Sequence, residues 1–277
     1  MVDIIENIKG SVIQHGPYNN RIYLMRLNTD DTHGLIATLD DMALKNGYGK
    51  IFAKISAPVW NAFKSADYIK EAVVPRFFTG KTDGFFISKY FSAGRQKAQN
   101  VEKLLSFVKQ AGEGSGNNIH RTDRVTQDVV SCKPSDAAEM SVIYQHVFKS
   151  YPFPIQKPIY LKRIMKEGVL YFCIRIEGRI AAIAAAEIDL VSKNAEMTDF
   201  ATLPKWRGMG FAGMLLNHMD KKTRKLGIKT AYTIAKAASH GMNSVFKNSG
   251  YNYAGLLKNN SQICGSIQSM TVWYKHI

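Results

Sequence analysis

The sequence predicts an α/β protein in two parts, with a mixed sheet flanked by helices in the second. Three observations predict it. Strand and helix patterns alternate from about residue 126 onward. A glycine-rich turn, Arg207-Gly208-Met209-Gly210-Phe211-Ala212-Gly213, joins one of those strands to a helix. A polar stretch with three glycines, Gln110 to Asn118, separates the second part from the first.

Taken in order, Ala98 to Lys109 carries Val101, Leu104, Leu105 and Val108 at helical spacing before the polar stretch. The boundary falls near residue 120, giving domains 1–120 and 121–277. Asp128 to Cys132 reads as a strand. Pro134-Ser135-Asp136 opens a helix, with Ser135 or Asp136 as N-cap. A second helix spans about Pro158 to Lys166. Val169–Ile176 and Ile180–Leu190 read as strands turned by Glu177-Gly178-Arg179. After Ser192-Lys193-Asn194, Ala195 to Thr202 is a strand, and a helix follows from about Gly210 to Leu226. Gly227 stands just past its end, where a left-handed cap belongs. Thr230–Ala235 is a strand, Met242–Asn248 a helix and Ser269–Tyr274 a last strand.

The first part echoes the second. Leu35-Ile36, Asp40 and Gly47 repeat the spacing of Leu215-Leu216, Asp220 and Gly227. A strand follows each, Lys50 to Ile55 and Lys229 to Ala235. Phe63-Lys64 and Tyr68 then match Phe246-Lys247 and Tyr251. Where the second copy has its glycine turn, the first has Asp30, Asp31, Thr32, His33 and Gly34.

Apolar residues make up 45% of the 277, enough for a sizeable core. The formal charge is +15, which attracts anions. The basic residues are scattered, however, and the densest cluster is Lys221, Lys222, Arg224 and Lys225. Neither nucleic acid nor a membrane is therefore expected as partner; a homodimer is left open. Cys132, Cys173 and Cys264 form no CxxC pair, so no disulfide framework and no metal site are expected. The N-terminus lacks a signal-peptide pattern, and the expected location is the cytoplasm.

The turn from Pro204 to Gly213 carries the chemistry. Glycines let the backbone turn tightly and approach a ligand. The N–H groups that open the helix lack internal partners, and the helix dipole draws an anion to them. Arg207 adds a cation. No Gly-Lys-Ser/Thr follows, so this is not a nucleotide P-loop.

The pattern Arg-x-x-Gly-x-Ala after a strand ending in Pro204 resembles the acetyl-CoA loop of the GNAT superfamily of N-acetyltransferases. Asn243 to Tyr251 is similar to that family's later short helix ending in Gly-Tyr. The resemblance implies acetyl-CoA as co-substrate, with its pyrophosphate on the amides of Arg207, Gly208, Met209, Gly210, Ala212 and Gly213. It implies that the strand 195–202 splays from its neighbour, with Phe200 and Thr202 along the pantetheine arm, and that Asn243 and Phe246 line the same cofactor. Phe148 to Ile155, Thr198 to Pro204 and Tyr68 to Phe78 together resemble the β-lysine N6-acetyltransferases over nearly the whole chain. That likeness implies a small-molecule amine substrate and a neutralised solute as product. With the GNAT likeness of the second part, the repeat whose glycine turn is lost in the first copy implies a degenerate GNAT-like first domain. Another amine (polyamine, aminoglycoside or protein lysine) or a non-catalytic polyanion-binding module are the other readings.

An alkyl amine near pKa 10.4 is protonated at pH 7, and freeing it costs roughly 4–5 kcal/mol. A base is needed. Glu196 is the first candidate, on the same face of a regular strand as Phe200 and Thr202. Asp199, on the opposite face, is the second, and Glu187 the third. Phe246 stands where many family members carry a proton-donating Tyr, which leaves the general acid open: Tyr251 and Tyr253 are nearby but read as core aromatics, and thiolate release without a dedicated acid is the other reading. Tyr151 and Phe153, in the proline-bounded Tyr151-Pro152-Phe153-Pro154, are the candidate substrate-side residues.

Overall fold

The computed structural model describes residues 3–98 and 127–277. The helix expected after Ala98, the glycine-rich stretch and the boundary near residue 120 lie outside the described residues. The first half holds β1 (Ile4–Ile8), β2 (Ser11–Gly16), β3 (Arg21–Arg26), α1 (Thr32–Asn46), β4 (Lys50–Ser56), α2 (Trp60–Lys64), β5 (Ile69–Phe78), β6 (Thr82–Tyr90) and α3 (Ala93–Gln96). The second half holds β7 (Val129–Ser131), α4 (Ala137–Val147), α5 (Pro158–Lys166), β8 (Leu170–Ile176), β9 (Arg179–Asp189) and β10 (Asn194–Thr202). After the glycine turn come α6 (Phe211–Lys225), β11 (Thr230–Lys236), α7 (His240–Asn248), β12 (Asn252–Ile263) and β13 (Ser266–His276). The elements expected in the second half are present, and β12 joins them. The helix expected at Ser135 opens as a 3-10 turn, with Asp136 Oδ2 accepting the Lys133 N–H at 2.7 Å. No helix among the described residues is long and apolar enough to cross a membrane.

Among the described residues, all strands join one mixed sheet in the order β1-β2-β3-β4-β6-β5-β12-β13-β11-β10-β9-β8-β7. The same arrangement occurs twice in it. β3 pairs parallel with β4 as β10 does with β11, and an antiparallel pair then follows in each half. The likeness reaches side chains. Tyr68 and Lys89 donate to Asp40 at 3.4 and 2.7 Å, as Tyr251 and Lys275 donate to Asp220 at 2.7 and 2.8 Å. Phe63 packs edge-on against Tyr68, and Phe246 against Tyr251, with ring centroids 5.1 and 5.2 Å apart. In each half the long helix ends before a left-handed glycine, Gly47 or Gly227.

The halves are joined by more than the sheet edge. One core cluster draws Tyr23, Phe52, Phe77 and Phe86 from the first half against Tyr232, Leu257, Met270 and Val272 from the second. Glu71 and Lys50 form a buried ion pair at 2.8 Å. Glu71 also accepts the Lys258 N–H at 2.8 Å, and Lys50 donates to the Lys258 carbonyl at 2.8 Å. A buried pair is tolerated only with its remaining hydrogen bonds made; here Ser88 and Tyr90 of the same half and the Lys258 backbone of the opposite half make them.

At the join, Gly255 pairs with Ala72. A Cβ on Gly255 would lie 2.6 Å from the Ala72 Cα, closer than backbone atoms can approach. Gly255→Val is therefore expected to destabilise the protein by roughly 1–3 kcal/mol, as an overpacked core position does. Urea denaturation reads this directly, and an unshifted midpoint would show the close approach to be dispensable.

Candidate active site

The glycine turn is built as an anion cradle. Gly208 and Gly210 hold φ of +84° and +77°, which other residues adopt only at a cost. A side-chain atom placed on Gly208, Gly210 or Gly213 would meet nothing within 4 Å, so the space before the helix is open. The helical bond from Met214 N–H reaches back to Gly210. The N–H groups of Phe211, Ala212 and Gly213 thus fall at the unpaired start of α6, whose first turn carries no acid. Arg207 is exposed beside it, its Nε 3.4 Å from the Thr202 carbonyl, and Met209 is exposed as well. These residues fit a pyrophosphate. The helix start of the first half is closed instead, since Asp31 accepts the Gly34 N–H at 2.9 Å and pairs with Lys9 at 2.8 Å.

β10 leads into this turn, and it is not the regular strand the sequence suggests. It pairs with β11 only from Asn194 to Glu196 and then leaves it, which opens a gap between the two strands. Against β9 its register shifts between Thr198 and Ala201, and Asp199 sits at φ +55°. The extra residue changes the parity of the strand. Ala195, Met197 and Phe200 therefore face the core under α6, whereas Ala201 faces the core under α4. Asp199 does not point away from Glu196. Both carboxylates line one cleft, and Glu187, directly opposite Glu196 on β9, lines it too.

The cleft measures about 590 Å³ and is walled by both halves. Tyr151 and Phe153 line it beside Asp199. Tyr151 and Tyr171 donate to the two Asp199 oxygens at 2.7 and 2.9 Å, which fixes this buried carboxylate. Gln14, on β2, donates to the Pro152 carbonyl at 3.1 Å. Lys54, on β4, lies 3.8 Å from Glu196 and donates to the Tyr232 hydroxyl at 2.7 Å. Burial opposes its charge, but Tyr23, Tyr232 and Glu196 hold its pKa well above the ordinary value.

Glu187 is open to the cleft yet surrounded by protein. The surrounding protein, with Glu196 and Asp199 as like-charged neighbours, raises its carboxyl toward about 8, partly offset by Lys54, and its exposure to the cleft's solvent weakens the effect. In the folded protein it therefore holds its proton more tightly than in the unfolded chain. Below the unfolded value the two states do not differ. As pH rises from there to about 8, the unfolded state alone ionises and stability falls. Glu187→Gln is thus expected to raise the melting temperature near pH 8 and leave it unchanged near pH 4. Equal shifts at both values would place the effect in packing rather than charge.

A profile of the acetyltransferase (GNAT) family matches residues 138–251. A protein of Methanococcus maripaludis, described as beta-lysine N(6)-acetyltransferase, is 36% identical over 278 residues, which cover 99% of each chain. The chain belongs to the GNAT family of acetyltransferases. A Methanosarcina mazei protein of the same description is 27% identical over 76% of this chain and 84% of its own. The N-acetyltransferase YodP of Bacillus subtilis is 26% identical over 99% of this chain and 100% of its own.

As a GNAT acetyltransferase the chain is an acetyl-transferring enzyme, and its later helix can be read in that light. Phe246 is buried between Phe200, with centroids 5.6 Å apart, and Tyr251. The Tyr251 hydroxyl is committed to Asp220. Asn243 was expected to reach the cofactor, but its side chain is spent on the protein. Its amide donates to the Lys236, Ala237 and Ser239 carbonyls, and its oxygen accepts from Thr271 and Trp273. It shapes the segment 236–239 that lines the cleft and has no capacity left for a ligand. The sequence reading missed Arg21, Tyr23, Lys54 and Tyr232, which also line the cleft. A signal existed in Lys50-Ile51-Phe52-Ala53-Lys54, an apolar strand with a lysine at every fourth place on one face.

Proposed function

We propose that this enzyme transfers an acetyl group from acetyl-CoA to the N6 amine of β-lysine. One observation carries the reading: the 36% identity to the M. maripaludis protein runs through both halves, and both halves wall the cleft. The glycine turn supports acetyl-CoA, with the pyrophosphate on the amides of α6 and the pantetheine arm in the gap between β10 and β11.

In this scheme an ammonium enters among Glu187, Glu196 and Asp199. Glu196 takes its proton, directly or through water. The freed amine attacks the thioester carbonyl carbon, the C–S bond breaks, and the second proton shed by the attacking nitrogen passes to the departing thiolate, which leaves as the coenzyme thiol. The new amide removes one positive charge and leaves a zwitterion, as suits an accumulated solute in the cytoplasm. The first half is then a degenerate copy of the second, its helix start closed by Asp31 and its strands turned to walling the substrate. It leaves one cofactor site per chain.

Thiol release across a panel of amines tests the reading. β-Lysine is expected to react with a kcat/KM well above those of lysine, spermidine and an aminoglycoside. Equal turnover of lysine or spermidine would sink it.

A further inference from the structure

The acids of the cleft account for an amine but not for the cations opposite them. Arg21, on β3, is 3% exposed and lines the cleft. Among the described residues it has no carboxylate within ion-pair distance. Its Nη1 donates to the Asn260 carbonyl and to Ser261 Oγ at 2.5 and 2.9 Å, both neutral acceptors. Its Nε is buried without a partner. Tyr23 and Phe52 lie under the guanidinium, with centroids at 5.2 and 5.9 Å, and fix its plane. Behind it stands Arg95, also buried, with two more nitrogens unpartnered. Lys50 is the third buried cation nearby, and its charge is answered by Glu71.

A buried guanidinium without a counter-charge is costly, and proteins keep one where an anion is to arrive. Burial lowers the Arg21 pKa to about 10, so it remains charged at neutral pH. The same cleft thus holds acids on the β9–β10 side and, on the β3 side, a cation with no carboxylate in contact, Asp3 and Glu196 acting on it only at a distance. A bare diamine would match only the first.

On the reading that the substrate is an amino acid with a terminal amine, we propose that Arg21, backed by Arg95, is the subsite for the substrate's carboxylate. The first half then selects amino acids over polyamines. The guanidinium fork receives the carboxylate, and the amine reaches the acids across the cleft.

The test compares β-lysine with its carboxamide, which keeps both amines and loses the anion. Wild-type enzyme is expected to prefer β-lysine by roughly 10- to 100-fold in kcat/KM, the span of one charge-assisted contact. In Arg21→Gln that preference is expected to collapse toward unity, mostly through KM for β-lysine. Arg21→Lys, which keeps the charge but loses the fork, is expected to fall between. Equal use of the two compounds by wild-type enzyme overturns the subsite and leaves the proposed reaction standing, and that arm needs no variant to fold. An unchanged preference in Arg21→Gln overturns it as well. Wild-type enzyme that acetylates neither compound overturns the proposed reaction, and the subsite with it.

Discussion

Glu196→Gln is expected to lower kcat by roughly 10²–10⁴-fold, the usual worth of a positioned base, while acetyl-CoA still binds. The argument is geometric. Glu196 is the last residue of β10 paired with β11, so it stands where the two strands part. Its only ion-pair partner among the described residues is Lys54 at 3.8 Å, a distance beyond hydrogen bonding. Asp199 differs, because each of its oxygens already accepts a tyrosine hydroxyl. Asp199→Asn should therefore act mainly through the position of Tyr151, raising KM more than it lowers kcat. Single-turnover rates at saturating substrate separate the two. The reverse ranking, with Asp199→Asn slow and Glu196→Gln fast, would move the base to Asp199.

The glycine turn was legible because its physics is local. Three glycines, an arginine and the start of a helix lie within seven residues, and each does its work where it stands. The long helices were legible for the same reason, through apolar spacing and the glycines that end them. The cleft was not, since Lys54 and Glu196 meet only after the first half folds back onto the second. Nor was the bulge. Ala195 to Thr198 alternates as a strand should, but Asp199-Phe200-Ala201 breaks the alternation; that break, and the tolerance of Asp for the left-handed region, are the only hints. That one residue reverses which face Asp199 takes. β12 escaped notice because Lys258-Asn259-Asn260-Ser261 breaks the alternation of a strand. These residues instead receive Lys50, Glu71 and Arg21 from the first half.

Gly210→Asp is expected to weaken acetyl-CoA binding at least about 100-fold in isothermal titration, a loss of roughly 2.8 kcal/mol at 1.4 kcal/mol per tenfold. Two effects combine. A residue other than glycine at φ +77° strains the turn by about 1–2 kcal/mol. The new carboxylate also takes the N–H groups of the helix start and opposes the pyrophosphate there, up to about 2 kcal/mol in a partly buried site. Gly178→Asp isolates the second effect. Gly178 turns β8 into β9 at φ +79°, with nothing within 4 Å of an added Cβ, so the backbone strain is the same. That variant is expected to lose stability like Gly210→Asp and to bind acetyl-CoA like the wild type. Equal weakening in both would make the loop's role conformational, and no weakening in either would put the anion elsewhere. The first half already shows what the added acid does. There Asp31 caps α1, accepting the Gly34 N–H and pairing with Lys9. Gly210→Asp would put an acid at the corresponding helix start of the second half, which is why its loss of cofactor binding should exceed that of Gly178→Asp while the loss of stability is shared.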